Sequence, residues 1–400
     1  MDAHLGEWLN LAVRWAHVIT GVAWIGTSFY FNWLNSRIAP PPPERAEPGV
    51  AGELWSVHGG GFYRVEKYSV APERLPETLH WFKWEAYATW LSGLALLVLV
   101  YYLGAAAYLV DPQVARLGTG QAIAVGLGSL AGAWLVYDAL CRSSLQKAPL
   151  ALAAVLFALT TALAWGLAQL LAPRAAYIHA GAALGTIMAA NVFRVIIPSQ
   201  RDMVAAMAQG RAPDAALGTQ AALRSLHNNY FTLPVLFTMV SSHYPATYGH
   251  HWNWLVLAGL ALVGVATRHW FNLRNQGRPN PWLLPGAAAG LVALAFVTAP
   301  RDNGAAAVPQ AAGDVSFADV RVIVARRCAP CHSSAPTVPG LTAAPQGVAF
   351  DTPDEIRARA ERILAVAVET HTMPLGNVTA ITEEERAILA RWIRDGARLR

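Results

Sequence analysis

Eight runs of about 20 predominantly apolar residues, at about 8–36, 82–104, 119–140, 148–171, 176–198, 229–246, 252–273 and 282–299, constrain this chain more than any other feature. A helix needs about 20 residues to cross a hydrocarbon layer of about 30 Å, and a backbone in lipid must satisfy its own N–H and C=O groups. The spacing therefore predicts an all-α fold whose residues 1–300 form an eight-helix transmembrane bundle. Only 14% of the residues are charged and 54% are hydrophobic, which excludes an ordinary soluble enzyme. Charges return at ordinary density from Arg301, so 301–312 reads as a linker and 313–400 as a small helical domain. The first apolar run has no basic segment ahead of it and is too long for a signal-peptide core, so it reads as a retained membrane segment.

Lysine and arginine set the orientation. Arg37, Arg45, Arg64, Lys67 and Arg74 follow the first run, Arg142 and Lys147 the third, Arg201, Arg211 and Arg224 the fifth, and Arg274 and Arg278 the seventh. The other connections hold only Arg116 and Arg174. Positive charge collects in cytoplasmic loops, which predicts a multi-pass protein of a bacterial inner membrane with both ends and the final domain on the periplasmic side. The same dispersal into short loops argues for a lipid bilayer as partner and against nucleic acid. The connection at 37–81 is long enough to be functional.

"RRCAPCHSS" places Cys328, Cys331 and His332 at the spacing that attaches one haem c covalently and supplies one iron ligand. Met373 in "HTMPLG" is the expected opposite ligand, with His371 as its competitor. Zinc would require further ligands nearby, and a thioredoxin motif would require a strand–helix unit. Helical patterns surround the motif: "FADVRVIVARR" before it, then "TPDEIRARAERILAVAVET" and "ITEEERAILARWIRDGA", the last two opening on Thr with acidic residues behind it. Together these resemble a class I cytochrome c domain.

Ten of the 12 histidines lie in residues 1–300, where ionisable groups are costly and therefore functional candidates. His17 and His179, each beside small residues, are assigned to an outer layer as candidate ligands of a haem b; each also suits a plain bond to a neighbouring helix. His243, His250 and His251 suit copper less well, because they sit at a wet interface. The inner layer holds His58, His80, His227 and His269 among cations. "HGGGFYRVEKY" offers the backbone of Gly60 and Gly61 with Arg64 and Lys67, and "HNNYF" offers Asn228 and Asn229. Amides, cations and aromatics suit a flat polar anion, with His58, His80 or His227 as general base. Interfacial caps in a basic loop would account for the same charges.

"HVITGVAWIGTSFYFNWLN", "LWSVHGGGFYRVEKY", "LHWFKWEAYATWLSG", "NVFRVIIPSQ" and "HNNYFTLPVLFTMVSSHYP", with the CAPCH domain, resemble the bacterial membrane-bound urate oxidases, also called urate hydroxylases, over essentially the full length. The resemblance implies oxidation of urate to 5-hydroxyisourate, with electrons leaving through haem c to a soluble or membrane cytochrome c or terminal oxidase. The first run also looks remotely like copper-resistance-D-type haem-binding bundles, which favours His17. Two other readings suit a haem-bearing membrane protein: a quinol-oxidising respiratory cytochrome, and a haem redox sensor.

Overall fold

The computed structural model describes residues 3–45, 47–299, 315–338 and 341–399. The linker at 301–312 lies outside them.

Helices α1 (Ala3–Arg37), α2 (Trp84–Tyr102), α3 (Thr119–Arg142), α4 (Pro149–Ala168), α5 (Pro173–Ala208), α6 (Ala215–Val240), α7 (Asn253–Asn275) and α8 (Leu283–Val297) pack side by side. Among the described residues five of them, α2 to α5 and α7, are long and apolar enough to cross a membrane, and α8 is a shorter apolar helix. Buried polar groups such as Arg224, Asn228 and Asn229 lower the hydropathy of α6. Its ordered helix begins 14 residues before the apolar run at 229–246, because Asp214 caps it, Oδ1 accepting from Ala216 N at 2.9 Å. Pro149 and Pro173 open α4 and α5 at positions where the missing N–H costs nothing.

The centre of the bundle is α5, which packs on α2, α3, α4 and α6. Ala175, Ala176, Ala180, Gly181 and Ala183 line it, small enough for close helix approach. At Gly181 an added Cβ would collide with Thr238 of α6. Near its loop end α5 widens into a π turn at Asn191–Ile196, just before Pro198. Such turns absorb a proline that can neither donate nor tolerate the carbonyl four residues back. Here the widened turn carries Asn191 into the interior, where it is fully buried.

The expectation of a wholly helical chain needs one correction. In the connection 37–81, strands β1 (Val50–His58) and β2 (Gly61–Tyr68) pair antiparallel, His58 opposite Gly61. Gly59 and Gly60 close the hairpin at φ +58° and +82°, the left-handed pair of a two-residue turn that matches strand twist. An Ala39–Glu53 bridge and a Lys67 Nζ to Asn35 Oδ1 bond of 2.9 Å fasten its base beside the end of α1.

At the opposite end of the helices sits the final domain. Helices α9 (Phe317–Arg327) and α10 (Glu383–Arg394) and the broken helical stretch from Pro353 to Glu369 share a core of Phe317, Val320, Ile323, Ile363, Leu389 and Trp392. Reciprocal capping pairs open three of these segments, Ser316 with Asp319, Thr352 with Glu355 and Thr382 with Glu385. The domain seats closely on the bundle. Gly376, at φ +54°, leaves room for a Cβ only 2.7 Å from the carbonyl oxygen of Val110. A Cβ on Gly249 would collide with Thr370, and Thr342 donates to Glu7 of α1 at 2.8 Å.

Candidate functional site

A buried polar layer crosses the bundle near its hairpin end. Asn228 and Asn229 on α6 are adjacent in sequence but serve two different networks. On one side Asn228 donates to Met188 O at 3.0 Å and accepts from Asn191 Nδ2 at 2.8 Å. The other Asn191 N–H reaches Tyr137 Oη at 3.0 Å, and Tyr137 Oη lies 2.8 Å from His227 Nδ1. Cys141 Sγ lies 3.8 Å from the same imidazole nitrogen. Arg224, wholly buried, is neutralised by Asp138 at 2.7 Å.

On the other side Asn229 Oδ1 accepts from Arg268 Nε at 3.0 Å and Asn272 Nδ2 at 2.9 Å. A guanidinium can only donate, so the Asn229 atom facing it is the carbonyl oxygen. The Asn272 atom sharing that oxygen is then its amide nitrogen. What remains is fixed: Asn229 Nδ2 and Arg268 Nη2 as donors and Asn272 Oδ1 as acceptor, all three buried and without partners. Phe29 of α1 lies against the guanidinium, its ring centroid 3.8 Å away. Asn32 Oδ1 and Glu85 Oε2 are also buried and unpartnered. Pro234, inside α6, removes the N–H that would bond the Tyr230 carbonyl.

The structure gathers only some of the residues the sequence singled out. His227, Asn228 and Asn229 lie in the polar layer. His58 and His80 are exposed, His80 stacked edge-on with Phe82. Gly60 and Gly61 belong to the hairpin turn and its first strand position, so strand reversal accounts for the glycine cluster. Arg64 is committed to Glu53 at 2.7 Å and Glu66 at 2.6 Å, and Lys67 to Asn35. Sequence reasoning passed over Arg268, Asn272 and Phe29. The signal that could have found them is an Arg and an Asn four apart inside the seventh apolar run.

His17 and His179 bond different turns of α2. His17 Nδ1 bonds Thr89 O at 3.0 Å and packs beside Gly93 of α2, whereas His179 Nε2 lies 3.3 Å from Tyr102 Oη. Nine residues of helix separate Gly93 from Tyr102, a rise of about 13 Å along α2. His179 Nδ1 bonds Ala175 O at 2.8 Å, so a ligand role for its Nε2 would displace Tyr102. Among the described residues no three His, Cys, Asp or Glu side chains gather as a site for a bare metal ion, His243, His250 and His251 included.

In the final domain Cys328 closes α9, and the backbone N–H groups of Cys331 and His332 both turn back to Cys328 O, at 3.2 and 2.9 Å. Both thiols are free, and burial pushes that of Cys328 up to about 12. His332 Nδ1 lies 2.9 Å from Val348 O, so it carries the ring proton and leaves Nε2 available as a ligand. Asp351 accepts from Ser333 Oγ at 2.6 Å and Ser334 N at 2.8 Å, and these bonds hold its carboxyl below the usual range. Buried Arg386 donates to Met373 O at 3.1 Å and to Ala367 O, and it acts electrostatically on Cys328. Its Nη2 has no partner. The donor set fits a covalent haem: two thiols, one imidazole nitrogen held free, a methionine loop, and a buried N–H suited to a propionate.

A family model described as urate oxidase N-terminal matches residues 3–299. No curated protein and no solved structure matches the chain.

Proposed function

From the premise that the chain belongs to the urate oxidase N-terminal family, we propose that it is a membrane-bound oxidoreductase that converts urate to 5-hydroxyisourate and passes the electrons to a haem c in its final domain. The observation that carries this reading is the buried polar layer: hydrogen-bonding groups of both kinds at the hairpin end of a bundle whose other end bears the CAPCH domain. Urate and water give 5-hydroxyisourate, two protons and two electrons. The substrate enters from the hairpin side, which the distribution of basic residues assigns to the cytoplasm.

Within this reading the chain's residues bind the purine edge, exclude water and hold a proton. His227, bonded to Tyr137 at 2.8 Å in the network on the other side of α6, holds a proton within the same polar layer without touching the purine. His332, Met373, Cys328 and Cys331 would hold haem c, with Arg386 beside the methionine loop. When attached, that group supplies a one-electron acceptor, so two transfers complete each turnover. A haem b on His17 or His179 would serve as an intermediate store. A periplasmic cytochrome c or a terminal oxidase would take the electrons onward.

The test uses inner-membrane vesicles containing the full chain. Urate added without oxygen should reduce the covalent haem, read by its absorbance, and quinol should not. Reduction by quinol alone would replace this reading with the respiratory cytochrome, and reduction by neither with the redox sensor.

A further inference from the structure

Two arginines are buried at one level of the bundle, and they differ in one respect. Arg224 has its countercharge in Asp138 at 2.7 Å. Arg268, with only 4% of its surface exposed, meets no carboxylate among the described residues. An unpaired charge so buried is expensive unless an opposite charge reaches it. Its neighbours extend the request. Asn229 and Asn272, 1% and 5% exposed, present a free N–H and a free carbonyl beside the free guanidinium N–H.

We propose that Arg268, Asn229, Asn272 and Phe29 form the binding site for a planar heterocyclic anion, on the reading above the urate monoanion. Two free donors and one free acceptor match in number a ring edge that offers two acceptors and one N–H. Arg268 supplies the charge, and Phe29 stacks on the guanidinium and keeps it in plane. Asn229 is a positioning residue as well as a ligand, since its carbonyl orients both Arg268 and Asn272. The site lies between α1, α6 and α7. Of the hairpin cations, Arg45 and Arg64 are already paired with Glu53 and Glu66.

The proposal depends on the urate reading, and the experiment separates the two. Equilibrium dialysis of labelled urate against the full chain in detergent gives binding without turnover, and haem reduction is followed in parallel. Arg268→Gln should weaken urate binding about 100-fold or more, the loss expected for a buried charge-assisted pair. Asn272→Asp, nearly isosteric, should do the same by placing a carboxylate beside the guanidinium. Arg268→Lys should recover part of the affinity, and Arg278→Gln, which removes an exposed charge from the same end of α7, should change nothing. Wild-type protein should prefer urate over the neutral purine hypoxanthine at least about 10-fold, and Arg268→Gln should lose that preference. Wild-type binding with unchanged affinity in both Arg268→Gln and Asn272→Asp overturns the site and leaves the urate reading standing. Absence of urate binding and of urate-driven reduction in the wild type overturns both. If Arg268→Gln does not fold, Asn272→Asp decides alone.

Discussion

At the scale of single residues, the two buried arginines separate what stabilises from what binds. Asp138→Asn would leave Arg224 wholly buried without its countercharge, and such a change costs about 3–5 kcal/mol. The expected result is a large drop in thermal midpoint in detergent. Replacing both partners, as Asp138→Leu with Arg224→Met, should restore most of it, since an apolar pair carries no unmet charge. Legibility was uneven at this scale. Cys328, Cys331 and His332 are close in sequence because the chemistry demands it, so the motif is readable without a fold. Arg268 and Asn229 are 39 residues apart and meet only because α6 and α7 pack. Asn229 was legible as a candidate ligand within "HNNYF", but its partner, one Arg inside an apolar run, was not.

Single elements were read best where one physical demand dominated. A run of about 20 apolar residues has few alternatives to a helix in lipid, and α2, α3, α4 and α7 fall within about three residues of their runs. The hairpin was missed because its strands bury almost nothing. Trp55, Val57, Phe62 and Tyr63 are all more than half exposed, so no alternation of buried and exposed positions marks it. Its turn glycines are the legible part in hindsight. Gly60→Val, at φ +82°, should destabilise the hairpin by about 1–2 kcal/mol and open it to limited proteolysis. Gly59→Asn, at φ +58°, should be tolerated, because asparagine accepts that conformation. Urate-driven haem reduction surviving in Gly60→Val would confirm that the glycines shape a turn and hold no substrate.

For the whole molecule, the polar layer and the CAPCH domain lie at opposite ends of the helices, and the positive-inside pattern predicts a side for each end. A membrane-impermeant maleimide should label Ser56→Cys, in the hairpin, only in inside-out vesicles, and Thr342→Cys, in the final domain, only in right-side-out cells. Labelling of both from one side would abolish the proposed vectorial path. The family match ends at residue 299, so the role of the final domain is carried by its own chemistry: the free Nε2 of His332, the methionine loop and Arg386. It is also carried by how that domain sits. Where Gly376 meets Val110 of the bundle, and Gly249 of the bundle meets Thr370, there is no space for a methyl group, so the final domain is seated on the bundle with little slack.

The unpaired guanidinium of Arg268 also bears on the life of the protein in the cell. A ligand that fills a charge vacancy stabilises only the folded chain, by about 2.7 kcal/mol at one hundred times its dissociation constant. Marginal stability sets how fast membrane proteases clear a protein. The abundance of this one would then follow its own supply: plentiful substrate would protect the enzyme, and scarcity would mark it for removal, with no dedicated regulator involved.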